Sequence, residues 1–142
     1  MVLTLLGTGP SLTVDSMNIV GLGTDLIECE RIAQIIQRHG DRFLNRILTD
    51  AERAYAAGKV DPTPHIAGRF AAKEAILKVL GTGWRGPISW TDIEITNDAN
   101  GQPHVTLSGP TLDIARRRGI QRVLLSITHT KHYAAATAVG IG

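Results

Sequence analysis

Thr63-Pro64-His65-Ile66-Ala67-Gly68-Arg69-Phe70-Ala71-Ala72-Lys73-Glu74-Ala75-Ile76-Leu77-Lys78-Val79-Leu80-Gly81 reads as one continuous helix, from about His65 to Leu80. Proline suits a first turn, where its missing N–H is not needed, and Gly81 stands where a left-handed residue ends a helix. At about 100° per residue, Ile66, Phe70, Ile76, Leu77 and Leu80 form an apolar stripe. Ala67, Gly68, Ala71 and Ala75 form a second face, small enough for another element to approach closely. Little of the circumference is left for water, so other elements must cover this helix.

Upstream, Asn18-Ile19-Val20-Gly21-Leu22-Gly23-Thr24-Asp25-Leu26 alternates as a strand. Ile19, Gly21, Gly23 and Asp25 share one face, and Val20, Leu22, Thr24 and Leu26 the other. The two glycines are expected to leave open space beside the Asp25 carboxylate. Glu28 to His39 has helical spacing through Ile32, Ile35 and Ile36 and stops at Gly40; Asp41 to Leu48 continues it. Thr49-Asp50-Ala51-Glu52 is a capping-box pattern for a further helical turn ending at Gly58. Downstream, Ile88 to Thr96 and His104 to Leu107 are strand-like around a turn at Asn100-Gly101. A short helix from about Pro110 to Arg118 precedes two strands, Val123 to His129 and Tyr133 to Val139. Helices early and strands late predict an α+β fold, with helices packed on an antiparallel sheet.

The 142 residues are one domain's worth of sequence. Residues 17–142 are assigned to that domain. Residues 1–16, rich in breakers, are read as a flexible leader, with Met17 as an alternative start. No apolar run reaches the ~18 residues of a membrane span, and Met1 to Leu6 lacks the flank and length of a secretory signal. The single Cys29 gives neither a disulfide framework nor a zinc cluster and reads as a small packed residue. The expected location is the cytoplasm. Residues 1–30 hold four acids and no Lys or Arg, so the remaining chain carries all 15 basic residues against nine acids. A basic bulk suits a polyanionic partner: phosphates, nucleic acid or an acidic protein.

Some charges are out of place. Arg69 and Lys73 fall inside the apolar stripe and Glu74 lies at its edge. Buried charge costs several kcal/mol unless paired or bound to an ion. Glu74 could make an ordinary i,i+4 pair with Lys78, Arg69 and Lys73 could snorkel, and Asp25 could cap the helix that follows it. Alternatively, Asp25 and Glu74 together suit Mg²⁺, which keeps several waters and takes its remaining oxygens from substrate phosphates. Arg69, Lys73 and Lys78 would then form a positive wall. Gly81-Thr82-Gly83 follows a helix rather than opening one, so it is no Walker loop, but its bare backbone could admit a phosphate. Arg31, Arg38, Arg42, Arg46 and Arg53 fall close to one helical face: a solvated face or a strip for an acidic partner. Arg116-Arg117-Arg118 suits a helix C-terminus, and His129 is a lone strand histidine able to donate to phosphate or move a proton.

The blocks Ile19 to Leu26 with Arg31-Ile32, Gly68 to Ala75 with Lys78, and Gly81-Thr82-Gly83 resemble the holo-[acyl-carrier-protein] synthases. These are the short members of the 4′-phosphopantetheinyl transferase superfamily. Asp92 to Ile95, Asn100-Gly101-Gln102-Pro103 and Ser126 to Thr130 match in the same order, so the resemblance covers about residues 19–139. It implies Mg²⁺-dependent transfer of 4′-phosphopantetheine from coenzyme A to a serine of an apo acyl carrier protein. Adenosine 3′,5′-bisphosphate would be released, in support of fatty acid biosynthesis. It makes Asp25 and Glu74 the metal ligands and puts Arg69, Lys73 and Lys78 around the phosphates, with Gly81, Thr82 and Gly83 nearby. Asn100, Pro103 and His129 would lie toward the coenzyme, and Arg31, Arg38 and Arg42 would face the carrier protein. The implied assembly is a homotrimer with sites between subunits. Gln102 stands where a basic residue is common, and Thr128 where serine is frequent.

On that resemblance, Lys73 and Lys78 stabilise the leaving phosphate. Glu74, acting through a water, is the first candidate to take the serine proton, and His129 the second. Two rivals remain: a nucleic-acid module, which lacks a recognised motif and stacking aromatics, and a coenzyme-binding protein without turnover.

Overall fold

A computed structural model describes residues 18–142, so the expected leader and the alternative start at Met17 lie outside the described residues. β1 (Ile19–Glu28) leads into α1 (Cys29–His39), α2 (Asp41–Ile47), α3 (Asp50–Ala57) and α4 (Thr63–Leu80). Then follow β2 (Ile93–Asn97), β3 (Pro103–Leu107), α5 (Gly109–Arg117), β4 (Arg122–His129) and β5 (Tyr133–Ile141). The α+β class holds, and every strand pairing is antiparallel. The strands form two sheets: a three-stranded one ordered β1-β5-β4, and the β2-β3 hairpin. The first described strand thus pairs with the last, Asp25 opposite Ala136.

α4 packs across the three-stranded sheet, and its Ala67, Ala71, Ala72, Ala75, Ile76 and Leu80 are all at 0% exposure. The contact is made by small residues. A Cβ on Gly23 would lie 1.9 Å from the Ala75 carbonyl oxygen, and one on Gly21 would lie 2.8 Å from that of Val79. Gly68 answers from the helix side, where a Cβ would meet Ile127 of β4 at 3.0 Å. The glycines of β1 are therefore where strand and helix backbones touch. The room expected at the two glycines is thus filled by α4.

Local chemistry sets the element ends. The Glu52 amide donates to Thr49 Oγ1 (3.3 Å) while the Thr49 amide donates to Glu52 Oε1 (2.9 Å), so both halves of the capping box form at α3. Gly81 ends α4 at a positive φ of 70°, a backbone state glycine adopts without a Cβ penalty. One element starts later than its sequence pattern. The strand expected from Ile88 begins at Ile93, because Trp90–Asp92 winds into a 3₁₀ turn. The Asp92 carboxylate holds that turn by accepting from the Ser89 amide (3.3 Å) and from Thr111 Oγ1 on α5 (2.9 Å).

The outer face of the three-stranded sheet carries exposed apolar side chains. Leu22 is 67% exposed, Leu26 66%, Leu124 43% and Tyr133 49%. Leu22 and Leu124 flank Val139 of β5 in the same cross-strand row. No described helix is long and apolar enough to cross a membrane.

Candidate active site

The close approach of β1 to α4 brings Asp25, two residues beyond Gly23 on the same strand face, alongside the helix. Lys78 Nζ donates to the Thr24 carbonyl (2.6 Å) and lies 3.4 Å from Asp25 Oδ1. Glu28, rather than Asp25, occupies the position before α1, and it makes no side-chain capping bond. Glu74 stands one turn before Lys78 and does not pair with it: Lys78 turns to Asp25, and Glu74 Oε1 accepts from Trp84 Nε1 at 3.0 Å. No protein donor among the described residues reaches the other Glu74 oxygen. One edge of α4 therefore presents two carboxylates and an ammonium.

No group of three or more His, Cys, Asp or Glu suited to a metal occurs among the described residues. An ion held by Asp25 and Glu74 must complete its shell with water and ligand oxygens. Hard carboxylate donors with vacant positions fit Mg²⁺ better than a caged Ca²⁺ or a thiolate- and imidazole-bound Zn²⁺.

Beyond Gly81, the turn continues through partly buried Thr82 and Gly83 at φ 61°. Thr82 Oγ1 is buried without a hydrogen-bond partner. The Arg118 guanidinium lies against Gly81, its Nη1 2.8 Å from where a Cβ would stand. Sequence reasoning gave Arg118 only a helix-end role, and no spacing in the sequence links it to this turn.

At the opposite edge of α4, a cavity of about 160 Å³ is lined by His65, Arg69, Asn97, Gly101, Pro103 and His129, among others. Arg69 is 5% exposed; its guanidinium lies 4.3 Å over the Tyr55 ring and donates through Nη2 to Asn97 Oδ1. Its Nε is buried and finds no acceptor. Burial lowers the Arg69 pKa, opposed by Tyr55 and Glu52, and a guanidinium still keeps its charge. The His129 ring meets that of His65 edge to face at 4.8 Å. Burial, then the neighbouring His129, Lys59 and Arg69, lowers the His65 pKa. The cavity thus brings together three expected residues, Arg69, Pro103 and His129. Asn100 sits at the exposed hairpin turn, its amide on Asp98 Oδ1 (2.8 Å), and Asn97 lines the cavity instead. Asn97, Tyr55 and His65 come from three separate elements, and only the tertiary fold unites them.

Lys73 is elsewhere. It is at 0% exposure, and Nζ donates to the Ile47 carbonyl (2.6 Å), Glu52 Oε1 (2.7 Å) and the Trp90 carbonyl (3.0 Å). An ammonium has three donors, and all three are used inside the core, so the phosphate-facing position expected for Lys73 is corrected. The missed partner was Glu52, whose Oε2 also accepts from the Ile95 amide at 3.2 Å. Burial lowers the Lys73 pKa, and the Glu52 carboxylate opposes that shift.

His65 and Glu74 are nine residues apart, two and a half turns and about 13 Å of rise, so they project from opposite sides of α4. The sheet repeats this division. Asp25 is on β1 and His129 on β4, with β5 between them and a two-residue stagger along the strands, which puts their backbones about 12 Å apart. Within one chain His129 is not beside Asp25 or Glu74. Arg31, Arg38 and Arg42 are exposed on α1 and α2 and form no ion pair among the described residues. Arg53 leaves that strip, pairing with Asp41 at 2.8 Å and reaching Asn45.

Residues 21–138 match the family model of the 4′-phosphopantetheinyl transferase superfamily. The holo-[acyl-carrier-protein] synthase of Protochlamydia amoebophila is 50% identical over 120 residues, 84% of this chain and 96% of that protein. The crystal structure of the Neisseria meningitidis holo-[acyl-carrier-protein] synthase is 38% identical with a TM-score of 0.79, covering 87% of this chain and 98% of that one. A Bacillus anthracis synthase solved in complex with coenzyme A (3′,5′-ADP) is 40% identical with a TM-score of 0.73, covering 89% and 99%. The chain belongs to the holo-[acyl-carrier-protein] synthases of the 4′-phosphopantetheinyl transferase superfamily.

Proposed function

We propose that the protein moves the 4′-phosphopantetheine arm of coenzyme A onto a serine of an apo acyl carrier protein. The serine oxygen bonds to the β-phosphorus, the bond from that phosphorus to the bridging oxygen breaks, and adenosine 3′,5′-bisphosphate leaves. The hydroxyl proton passes to a base. The observation that carries this reading is the Lys78–Asp25 contact one turn beyond Glu74 on α4, in a chain half identical to a named synthase.

Asp25 and Glu74 would hold Mg²⁺, whose chemistry is to neutralise charge on the pyrophosphate. Lys78, its side chain 54% exposed, can leave Asp25 and follow charge building on the leaving phosphate. Arg69, with an unused buried N–H, would bind a phosphate at the nucleotide end, with His129, Asn97 and Pro103 around it. Glu74 would take the serine proton through a water. His129, on the far sheet edge, fits a contact to coenzyme better than a base. Arg31, Arg38 and Arg42 would receive the acidic surface of the carrier protein.

The assembly proposed is a homotrimer. Exposed Leu22, Leu26, Leu124 and Tyr133 supply an apolar face of the kind that marks an interface. Sites built between copies would set the cavity of one chain against the carboxylates of the next. A cytoplasmic role in fatty acid biosynthesis follows from the same reading.

The test is the intact mass of an apo acyl carrier protein after incubation with this protein, coenzyme A and Mg²⁺. A phosphopantetheine gain abolished by EDTA is expected. Glu74→Ala should slow it at least ~100-fold, the lower range for one electrostatic or acid–base group. Wild-type rates in that variant at ordinary Mg²⁺ would remove Glu74 from the site.

A further inference from the structure

We infer that Trp84 is a positioning residue for the Glu74 carboxylate. Its Nε1 donates to Glu74 Oε1 at 3.0 Å, which fixes the rotation of that carboxylate and leaves the second oxygen free. The indole is itself held. It stacks on Trp90, ring centroids 3.7 Å apart and 25° from parallel, and Trp90 stacks in turn on Phe70 at 4.9 Å. The backbone of Trp90 is anchored too, because its carbonyl accepts from buried Lys73, which Glu52 holds. A rigid line therefore runs from the core ion pair through two stacked indoles to one carboxylate oxygen. Groups that orient a metal-binding carboxylate typically affect metal affinity or activity by about 10–100-fold. The same bond ties the turn after α4 back to the helix.

This inference rests on Glu74 as a metal ligand, and its test separates the two ideas. Mn²⁺ is the probe, its free concentration read from its paramagnetic resonance signal, with no turnover required. Trp84→Phe keeps a ring for the stack and removes the N–H. Trp84→His, assayed above pH 7.5 where an ordinary imidazole is mostly neutral, keeps a five-membered ring whose Nε2 overlays the indole nitrogen but gives up half the stack. We expect Trp84→Phe to weaken Mn²⁺ binding roughly tenfold and Trp84→His to recover most of it. Both should hold the coenzyme A KM within about twofold at saturating metal. Unchanged Mn²⁺ affinity in Trp84→Phe, or equal losses in both variants, including loss through misfolding, would overturn the positioning role. Glu74→Gln is the control: if it binds Mn²⁺ like wild type, the ligand assignment fails, whereas weakened binding there beside normal binding in Trp84→Phe rejects the role of Trp84 alone.

Discussion

Lys73 Nζ lies 2.7 Å from Glu52 Oε1 with both side chains wholly out of water. Each charge has the other as its compensation, and four backbone groups complete the site: the Ile47 and Trp90 carbonyls and the Thr49 and Ile95 amides. Removing one member strands the other, which costs about 3–5 kcal/mol for a buried pair. Glu52→Gln and Lys73→Met should each lower urea-unfolding stability by that order. A loss of turnover at unchanged stability in Lys73→Met would return this lysine to the phosphates.

Gly23 faces the Ala75 carbonyl at a distance no side chain tolerates. A Cβ there would sit 1.9 Å from a backbone oxygen, and backbone cannot swing aside as a flexible side chain can. Gly23→Ala should destabilise by at least the ~3 kcal/mol upper range of ordinary overpacking. Thermal unfolding measures this. A melting point equal to wild type would mean that the strand and helix can separate freely.

His65 makes stability depend on acidity. Its folded pKa lies below the ordinary value because burial, His129, Lys59 and Arg69 all disfavour its cation. The unfolded chain therefore binds the extra proton first, and stability is lost as pH falls below about 6.5. His65→Gln should flatten that part of the decline in denaturation midpoints measured between about pH 7 and 5. An unaltered slope would place the acid sensitivity elsewhere.

Arg31 is exposed and without an ion pair among the described residues. Arg31→Glu should raise the KM for the carrier protein, steeply so at low salt, while leaving coenzyme A affinity near normal. Kinetics with each substrate varied in turn would show it. Parallel losses for both substrates would mark Arg31 as structural.

Periodicity located the elements because backbone preference and burial agree over these lengths. α4 was legible from its proline entry and Gly81 exit, and α3 from the Thr49 and Glu52 pair. The strand ahead of Ile93 was not, because Asp92 answers to Thr111, 19 residues away. At the site, Asp25 and Glu74 stood out as charges on surfaces that otherwise exclude water. The same logic flagged Lys73, but a misplaced charge shows only that a partner exists. Whether the partner is a phosphate or Glu52 depends on how α3 folds against α4. Asn97, Tyr55, Trp84 and Arg118 carried no such anomaly, since each is unremarkable along the chain and acquires its neighbour only in three dimensions.

The carboxylate edge and the cavity edge of α4 point away from each other, and this has a genetic consequence. If neighbouring copies close each other's sites, as proposed, a chain altered only at Asp25 still lends an intact cavity, and one altered only at Arg69 still lends intact carboxylates. Two alleles that are each inactive alone would then complement when produced together, since some junctions in a mixed ring receive both sound halves. A chain carrying both changes could rescue neither, and would instead dilute the working junctions of its wild-type partners.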